Sequence, residues 1–136
     1  MRRRMDKKIR VVIIDDHTLF RKALVEVLSR DSAIEVVGEG ATAQKAISLT
    51  KRLQPDILLL DLAIPGGGFA AAEALVTACP ATRIIVVTSS QSEDDVDQAS
   101  RVGVHGYVLK GISGNAMIKK IHEVYQIESP RLPSSK

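Results

Sequence analysis

The stretch "VVIIDDHTLF", residues 11–20, decides the fold. Four consecutive β-branched residues run into two adjacent carboxylates, Asp15 and Asp16, and then into a segment with helical character. Apolar residues on consecutive positions are typical of a strand covered on both faces, as in a parallel sheet. The sequence therefore predicts a buried strand whose carboxyl end carries two acids.

Short apolar runs of the same kind recur along the chain. With the first run they cover residues 9–14, 34–37, 57–60, 83–87 and 107–109. Helical patterns separate them, which gives five strands alternating strictly with five helices. That alternation predicts an α/β fold, a doubly wound parallel sheet with right-handed crossovers and helices on both faces. Such sheets place their sites at the carboxyl ends of the strands.

Capping signals and apolar spacing locate several of the helices. Ser92 and Asp95 stand in capping-box spacing and predict the start of the fourth helix, and Gly103 predicts its end. Ser113 is the expected cap of the fifth helix. The apolar face of the third helix is expected to comprise Ala71, Ala74, Leu75 and Ala78.

Length and composition predict one globular domain without a membrane-spanning segment. The chain has 136 residues, of which 45% are hydrophobic and 26% charged. No apolar run approaches the ~20 residues that a membrane span requires. The basic N-terminus lacks the apolar stretch of a signal peptide, so we expect a cytoplasmic protein. Cys79 is the single cysteine, which excludes an internal disulfide and predicts a small apolar residue at a helix end.

The basic charge of the chain belongs to a short N-terminal arm. Residues 1–8 carry five basic side chains and Asp6, a net charge of +4, which leaves −1 of the formal +3 for residues 9–136. The chain has no Trp and few other aromatic residues to form a stacking platform between basic side chains. We therefore expect no nucleic-acid recognition by this chain alone.

Polar side chains stand at four of the predicted strand ends. Asp15 and Asp16 end the first strand, Asp61 the third, Thr88 the fourth and Lys110 the fifth. Because the carboxyl ends of parallel strands share one edge of the sheet, we expect three carboxylates, a hydroxyl and an ammonium to converge there.

This group of side chains fits magnesium-dependent phosphoryl chemistry. Three neighbouring carboxylates repel one another unless a cation lies among them. Oxygen ligands favour a hard ion, and partly hydrated Mg²⁺ suits the site best. A carboxylate beside Mg²⁺ can attack phosphorus and become an aspartyl phosphate. The transferred oxygens then need partners, which Lys110 and Thr88 can supply.

Each of these residues also has a plainer interpretation. Asp15 or Asp16 could cap the following helix, and Asp61 could belong to an ordinary turn. Thr88 and Lys110 could be a strand-end hydroxyl and a solvated lysine. The joint placement at successive strand ends favours the functional interpretation. The three histidines show no recognisable ligand spacing and are interpreted as structural or surface residues: His17, His105 and His122.

At these residues the sequence resembles the receiver domains of two-component response regulators, from about residue 9 to residue 127. "VVIIDDHTLFRKAL" is similar to the NarL/FixJ subfamily, and "DILLLDLAIPG", "IIVVTSS" and "HGYVLK" match the other receiver segments in order. The resemblance implies a flavodoxin-like or CheY-like sheet with strand order 2-1-3-4-5.

The resemblance also implies a role for each site residue. Asp61 would be the phosphoacceptor and Asp16 a direct Mg²⁺ ligand, with Asp15 acting mainly through metal-bound water. The main-chain carbonyl of Ala63 would complete the protein's ligands, which are Asp15, Asp16, Asp61 and Ala63. Thr88 and Lys110 would hold the phosphoryl oxygens. Tyr107 would be the aromatic residue that swings inward when Thr88 moves.

Two positions depart from the receiver pattern. Receivers usually carry a glycine eight positions after the phosphoacceptor, where this chain has Phe69 preceded by three glycines, so we expect an unusual loop path and a Phe69 free to pack against a partner. Gly111 follows Lys110 where receivers commonly have proline. Neither departure involves a reacting group.

The expected organisation is a basic extension (1–8), a receiver domain (9–127) and a linker or tail (128–136). In this subfamily a helix-turn-helix domain usually follows the receiver, so DNA contact is expected only through such an output domain, which this chain lacks. A sensor histidine kinase and a phosphorylation-dependent homodimer are the expected partners.

Two other functions remain as alternatives. One is an aspartyl-nucleophile phosphatase or phosphotransferase, although such enzymes normally need an aspartate where this chain has Ala63. The other is a receiver-like interaction domain that works without phosphorylation.

Overall fold

The computed structural model describes residues 7–89 and 92–127. The tail at 128–136 and most of the basic extension, residues 1–6, lie outside the described residues. No helix in the described part of the chain is long and apolar enough to cross a membrane.

Five strands alternate with five helices, as the sequence predicts. The strands are β1 (Ile9–Ile14), β2 (Ile34–Gly40), β3 (Ile57–Leu60), β4 (Arg83–Thr88) and β5 (Gly106–Leu109). The helices are α1 (Thr18–Leu28), α2 (Ala43–Leu53), α3 (Gly68–Ala78), α4 (Glu93–Val102) and α5 (Gly114–Tyr125). All strand pairs are parallel and the order is β2-β1-β3-β4-β5, which confirms the expected topology.

The sheet has a separate hydrophobic core on each face. Val11 and Ile13 of β1 face the core shared with α1 and α5, whereas Val12 and Ile14 face the core shared with α2 and α3. Because alternate residues of each central strand are buried on opposite faces, β1 and β3 are apolar at nearly every position. Because both faces of the central strands are packed, their carboxyl ends have fixed positions. The site lies at these ends.

β2 is longer than the sequence indicates. It continues through Gly38, Glu39 and Gly40, which pair with Val12, Ile13 and Ile14 of β1 after a shift in register. Glycine and a charged residue argue against a strand in sequence patterns, but β2 is an edge strand, where backbone pairing tolerates both.

The capping predictions are confirmed. The Ser92 hydroxyl accepts from the Asp95 N–H at 3.4 Å, and the Ser113 hydroxyl accepts from the Ala116 N–H at 3.0 Å. Gly103 ends α4 in the left-handed conformation with φ 99°. Cys79 is buried at the end of α3, also as expected.

The predicted apolar face of α3 is only half correct. Ala71 and Leu75 are buried, but Ala74 and Ala78 are exposed, and the buried face continues through Ala72 instead. An alanine-rich helix has a weak polarity pattern, so the spacing of apolar residues does not identify its inward face.

Candidate functional site

The four predicted strand ends meet at one edge of the sheet. Asp15 follows β1 directly, Asp61 follows β3, Thr88 is the last residue of β4 and Lys110 follows β5. The Asp61 N–H donates to the Ile14 carbonyl at 3.0 Å, and the Lys110 N–H donates to the Thr88 carbonyl at 2.9 Å. Main-chain hydrogen bonds between neighbouring strands therefore set the positions of these side chains.

Lys110 lies between two buried carboxylates. Its Nζ atom is 2.9 Å from Asp15 Oδ2 and 3.2 Å from Asp61 Oδ2, and both aspartates are only 2% exposed. Burial by itself lowers the pKa of Lys110, but the two carboxylates outweigh it and hold that pKa above the ordinary value. The ammonium also lies 4.9 Å from the centre of the Phe20 ring. Lys110 is thus an ion-paired residue of the site and not a solvated lysine.

Asp15 is a turn residue and also a member of the acidic group, the cluster formed by Asp15, Asp16 and Asp61. Its Oδ1 atom accepts from the His17 N–H at 2.8 Å, which organises the entry to α1. Its Oδ2 atom is buried and receives no hydrogen bond of good geometry from the described residues, so that the Lys110 ammonium is its compensating charge. α1 begins after its N-cap residue His17 without a side-chain cap, so Asp15 forms a turn before the helix and does not cap it.

The two carboxylate oxygens of Asp61 have different partners: one binds the main chain of the following loop and the other faces the Lys110 ammonium. Oδ1 accepts from the Ala63 N–H at 3.2 Å, whereas Oδ2 faces Lys110. Ala63 itself is exposed, in the loop that follows Asp61. Asp16 lies at the solvent-exposed edge of the acidic group, and its side chain is 36% exposed.

Thr88 and Tyr107 lie on the neighbouring strands β4 and β5. Thr88 is 3% exposed and pairs with Leu109 in the parallel ladder. Tyr107 is half-buried and pairs with Val86. Burial, followed by the negative charge of Asp95 on α4, raises the pKa of the Tyr107 phenol. The phenol therefore stays neutral at physiological pH.

Arg21, which sequence reasoning did not single out, connects the acidic group to the edge of the sheet. Its Nη1 atom donates to the Asp15 carbonyl at 2.7 Å, and its Nε atom donates to Glu39 Oε1 at 2.9 Å. Lys22 Nζ also binds Glu39, at 3.1 Å. Burial raises the pKa of Glu39, but the bonds from Arg21 and Lys22 outweigh it and lower that pKa overall.

Two of the three histidines have the structural roles that the sequence predicts. His105 Nδ1 accepts from the Ile84 N–H at 3.0 Å, and His122 Nε2 lies 3.1 Å from Asp31 Oδ2. His17 is exposed as expected, but it also joins the acidic group, which sequence reasoning missed. The signal that points to it is its place directly after the acidic pair.

The loop after Asp61 closes tightly on itself through Gly68. A Cβ atom on Gly68 would lie 2.5 Å from Leu62 Cα and 2.6 Å from the Asp61 carbonyl oxygen, so only glycine fits there. The Gly68 N–H donates to the Leu62 carbonyl at 3.1 Å. The glycine requirement therefore falls one position before Phe69, which explains how the chain departs from the receiver pattern.

The donor set suits a hard divalent cation. Ligand atoms of Asp15, Asp16, His17 and Asp61 all lie within 4.8 Å of one another. A buried carboxylate oxygen that lacks a well-formed hydrogen bond, Asp15 Oδ2, is the kind of atom that a cation satisfies. The carboxylates present therefore fit Mg²⁺.

A parallel sheet in this strand order, with aspartates after β1 and β3 and a lysine after β5, defines the receiver class of signalling domains. The chain belongs to the response regulator receiver domain family, whose sequence profile matches residues 11–122.

The similar curated proteins are response regulators of the NarL/LuxR type. The chain is 32% identical over 122 residues to the transcriptional regulatory protein DegU of Brevibacillus brevis, covering 89% of this chain and 52% of that protein. It is 34% identical over 114 residues to the nitrate/nitrite response regulator NarL of Escherichia coli strain K12, covering 83% and 53%. The chain thus spans about half the length of these relatives.

Solved structures agree with this family and fold. The signal receiver domain of the response regulator NarL from Mycobacterium tuberculosis superposes with a TM-score of 0.86 at 32% identity, covering 90% of this chain and 99% of that one. The response regulator domain of Thermotoga maritima CheB shares the fold, with a TM-score of 0.82 at 24% identity and coverage of 90% and 99%. The expected family and fold are confirmed.

Proposed function

We propose that Asp61 accepts a phosphoryl group from a sensor histidine kinase. A carboxylate oxygen of Asp61 attacks phosphorus, the bond from phosphorus to the donor imidazole breaks, and its electron pair leaves with that imidazole. The product is an aspartyl phosphate. The observation that supports this most strongly is the buried Asp61 carboxylate, whose Oδ2 atom lies 3.2 Å from the Lys110 ammonium.

The neighbouring groups would stabilise the transferred charge. Mg²⁺ held by Asp15, Asp16, Asp61 and the Ala63 carbonyl would neutralise phosphoryl oxygens in the transition state. Lys110 is oriented by Asp15 and by the Phe20 ring. Its ammonium would therefore bind a phosphoryl oxygen on Asp61 with little movement. The Thr88 hydroxyl would hold a further oxygen.

Phosphorylation would bias a two-state element made of the Thr88 loop, α4 and β5. The new dianion would draw the Thr88 hydroxyl toward Asp61, and Tyr107 would follow inward. Two features of Tyr107 support this role: it is already half-buried, and its phenol is neutral.

The readout would lie in the rest of a longer regulator. DegU is named as a transcriptional regulatory protein, and this chain covers 52% of it. We therefore propose that the receiver acts in the cytoplasm to control transcription, that it forms a homodimer when phosphorylated, and that a helix-turn-helix output domain makes the DNA contact. The segment 128–136 would be the linker to that domain.

The proposal is tested by intact-protein mass spectrometry after incubation with acetyl phosphate, with and without Mg²⁺. The wild type should gain one phosphoryl adduct that requires Mg²⁺, and Asp61→Asn should gain none. The matched control is Asp97→Asn, which removes an exposed carboxylate on α4 and should be labelled like the wild type. Undiminished labelling of Asp61→Asn would overturn the assignment. No adduct under any condition would favour the phosphorylation-independent interaction domain.

A further inference from the structure

Charged side chains are unevenly distributed between the two edges of the sheet. In a parallel α/β domain the strands begin and the helices end at one edge, opposite the edge that holds the acidic group. At this amino-terminal edge two cations precede β1, one follows α1 and two end α2. All five are exposed and together form the basic edge: Lys7, Lys8, Arg30, Lys51 and Arg52. Summing charges along the sequence conceals this separation, because acids follow β1 and β3 and fill the first turn of α4 at the other edge.

Hydrogen bonds bring the segments of the basic edge together. The Ile9 N–H donates to the Ala33 carbonyl at 2.7 Å, which places the residues before β1 beside the turn that follows α1. On the other side, Arg10 Nη1 donates to the Leu53 carbonyl at 2.8 Å, at the end of α2. The two lysines before β1 therefore lie between Arg30 and the end of α2, so that the five cations belong to one surface.

The acids in these same segments do not neutralise the basic edge. Asp31 lies 3.1 Å from His122 Nε2, and Asp56 accepts from the Arg10 N–H at 2.9 Å. Glu35 on β2 is exposed and offsets one of the five cations. In the part of the chain that the structure describes, no carboxylate forms an ion pair with a residue of the basic edge. Its positive charge is therefore available to an external anion.

The described chain also ends at this edge of the sheet. The Arg83 N–H donates to the Asp56 carbonyl at 2.9 Å, which places the start of β4 beside the start of β3. Arg83 Nη2 donates to the Ile127 carbonyl, and the guanidinium lies 5.9 Å from the centre of the Tyr125 ring. Arg83 thus holds the end of the domain, and a segment joined after Ile127 starts at the same edge as the five cations.

We propose that the basic edge binds the phosphate backbone of DNA beside the contact made by the output domain. Lysine and arginine bind phosphates irrespective of base sequence. The basic edge therefore adds affinity and no recognition of bases, in agreement with the sequence, which predicts no nucleic-acid recognition by this chain alone. The choice of DNA rests on the proposed function, because the proposed output domain would bring DNA to this edge.

An anionic membrane is the other polyanion that a basic surface could contact. Peripheral membrane segments place large apolar side chains beside their cations. In the described part of the chain the exposed large hydrophobic residues are Leu19, Val96 and Ile127. The first two lie in the first turns of α1 and α4, away from the basic edge. The basic edge thus offers little apolar surface to a bilayer, and DNA is the better fit.

Fluorescence anisotropy of a labelled duplex of about 20 base pairs, titrated with the untagged chain at several salt concentrations, tests the proposal. The wild type should bind, with an affinity that falls as the salt concentration rises. Arg30→Gln/Arg52→Gln should reduce the slope of log affinity against log salt concentration by about 2, because each lost phosphate contact removes about 1. Its affinity at low salt should fall by about tenfold or more.

The matched control is Lys22→Gln/Lys45→Gln, which removes the same charge from the opposite ends of the same two helices. It should keep the wild-type slope, since a side chain that touches no phosphate releases no counter-ions. An equal loss in the two double variants would attribute binding to net charge and overturn the proposal. A wild type that binds phosphatidylserine vesicles but not the duplex would assign the basic edge to membranes and overturn it as well.

The phosphorylation assay gives a separate outcome. The four substituted side chains lie outside the acidic group, so both double variants should be labelled by acetyl phosphate as the wild type is. If Asp61 is labelled while the two double variants bind the duplex equally, only the inference fails. If labelling is absent while Arg30→Gln/Arg52→Gln alone loses affinity for the duplex, only the proposed phosphorylation fails.

Discussion

Lys110, which follows β5, places its Nζ atom 3.2 Å from Oδ2 of Asp61 and forms an ion pair with this carboxylate. With Asp15 Oδ2 at 2.9 Å, the ammonium compensates two carboxylates that are almost completely buried. In the absence of a metal ion it is therefore the internal counter-ion of the site. A divalent cation would compete with it for the same oxygens.

Replacing Lys110 with Ala should make the stability of the protein depend on Mg²⁺. Breaking a pair of buried charges leaves the carboxylates uncompensated, so the free energy of unfolding without metal should fall by about 1–3 kcal/mol. Mg²⁺ should restore most of the loss, because it binds the folded state at the same carboxylates. Thermal unfolding with and without Mg²⁺ measures both effects.

The control for this experiment is Lys22→Ala, since the Lys22 side chain is 58% exposed and pairs with a carboxylate outside the acidic group. Its melting temperature should respond to Mg²⁺ as that of the wild type does. A Lys110→Ala protein that melts like the wild type without metal would show that the ammonium does not compensate the carboxylates.

Arg21 and Lys22 provide a second matched pair, because both bind Glu39 but only Arg21 reaches the Asp15 carbonyl. Arg21→Ala leaves that carbonyl without its donor and frees the main chain beside a proposed metal ligand. We expect a loss of about 1.5–3 kcal/mol in the free energy of unfolding, since hydrogen bonds to charged groups carry about that much. Lys22→Ala should cost about 0.5 kcal/mol or less, as exposed pairs do.

Urea unfolding measures the stability difference between the two variants, and Mg²⁺ titration measures the effect on the site. Only Arg21→Ala should weaken Mg²⁺ binding, because only Arg21 supports the backbone at Asp15. Equal Mg²⁺ affinities in the two variants would mean that the bond from Arg21 to the Asp15 carbonyl does not position the site.

The consecutive apolar residues of β1 and β3 made the parallel sheet predictable from the sequence. Once the strands are parallel, topology alone brings Asp15, Asp61 and Lys110 to one edge. This part of the site could be predicted because it depends on strand order and not on side-chain conformation. The roles of individual oxygens, such as the pairing of Asp15 Oδ2 with the Lys110 ammonium, required coordinates.

Other features depend on contacts that no local pattern encodes. The role of Arg21 depends on its ion pair with Glu39. Glu39 lies in the last part of β2, which the sequence pattern did not predict to be a strand. His17 joins the site because the turn at Asp15 directs its ring back toward Lys110. The position that requires glycine is Gly68 and not that of Phe69, and this depends on the path of the loop.

The carboxyl of Asp31 should contribute to stability in a pH-dependent way. The Ala33 N–H donates to Oδ1 at 2.8 Å, and His122 lies 3.1 Å from Oδ2, so the pKa of Asp31 lies below its ordinary value of 3.8. A carboxyl whose pKa falls on folding stabilises the folded state above that ordinary value. The contribution disappears as pH falls through the folded-state pKa.

Asp31→Asn should therefore lower the free energy of unfolding at neutral pH by about 0.5 kcal/mol, a small effect because the group is partly solvated. The difference from the wild type should shrink as pH falls below 3.8. Urea unfolding over this range, with Asp97→Asn as an exposed carboxylate for comparison, measures it. A difference that stays constant below pH 3.8 would contradict the assignment to ionised Asp31.

Gly68 and Gly111 offer the sharpest test of the loop that carries Asp61. A methyl group on Gly68 would meet backbone atoms, Leu62 Cα at 2.5 Å and the Asp61 carbonyl oxygen at 2.6 Å, which cannot rotate away as a side chain would. Gly111 has nothing within 4 Å of the same added atom. Gly68→Ala should cost about 1–3 kcal/mol through overpacking, whereas Gly111→Ala should stay within about 0.5 kcal/mol of the wild type.

The same pair separates stability from the geometry of the phosphoacceptor. Relief of the contact at Gly68 requires the main chain at Asp61 and Leu62 to move, which displaces the proposed nucleophile from Lys110. At temperatures where both variants remain folded, Gly68→Ala should be phosphorylated by acetyl phosphate more slowly than Gly111→Ala, as measured by the rate of adduct formation. If Gly68→Ala is destabilised but labelled at the wild-type rate, the loop absorbs the methyl group without moving the carboxylate, and the tight approach of Gly68 serves folding alone.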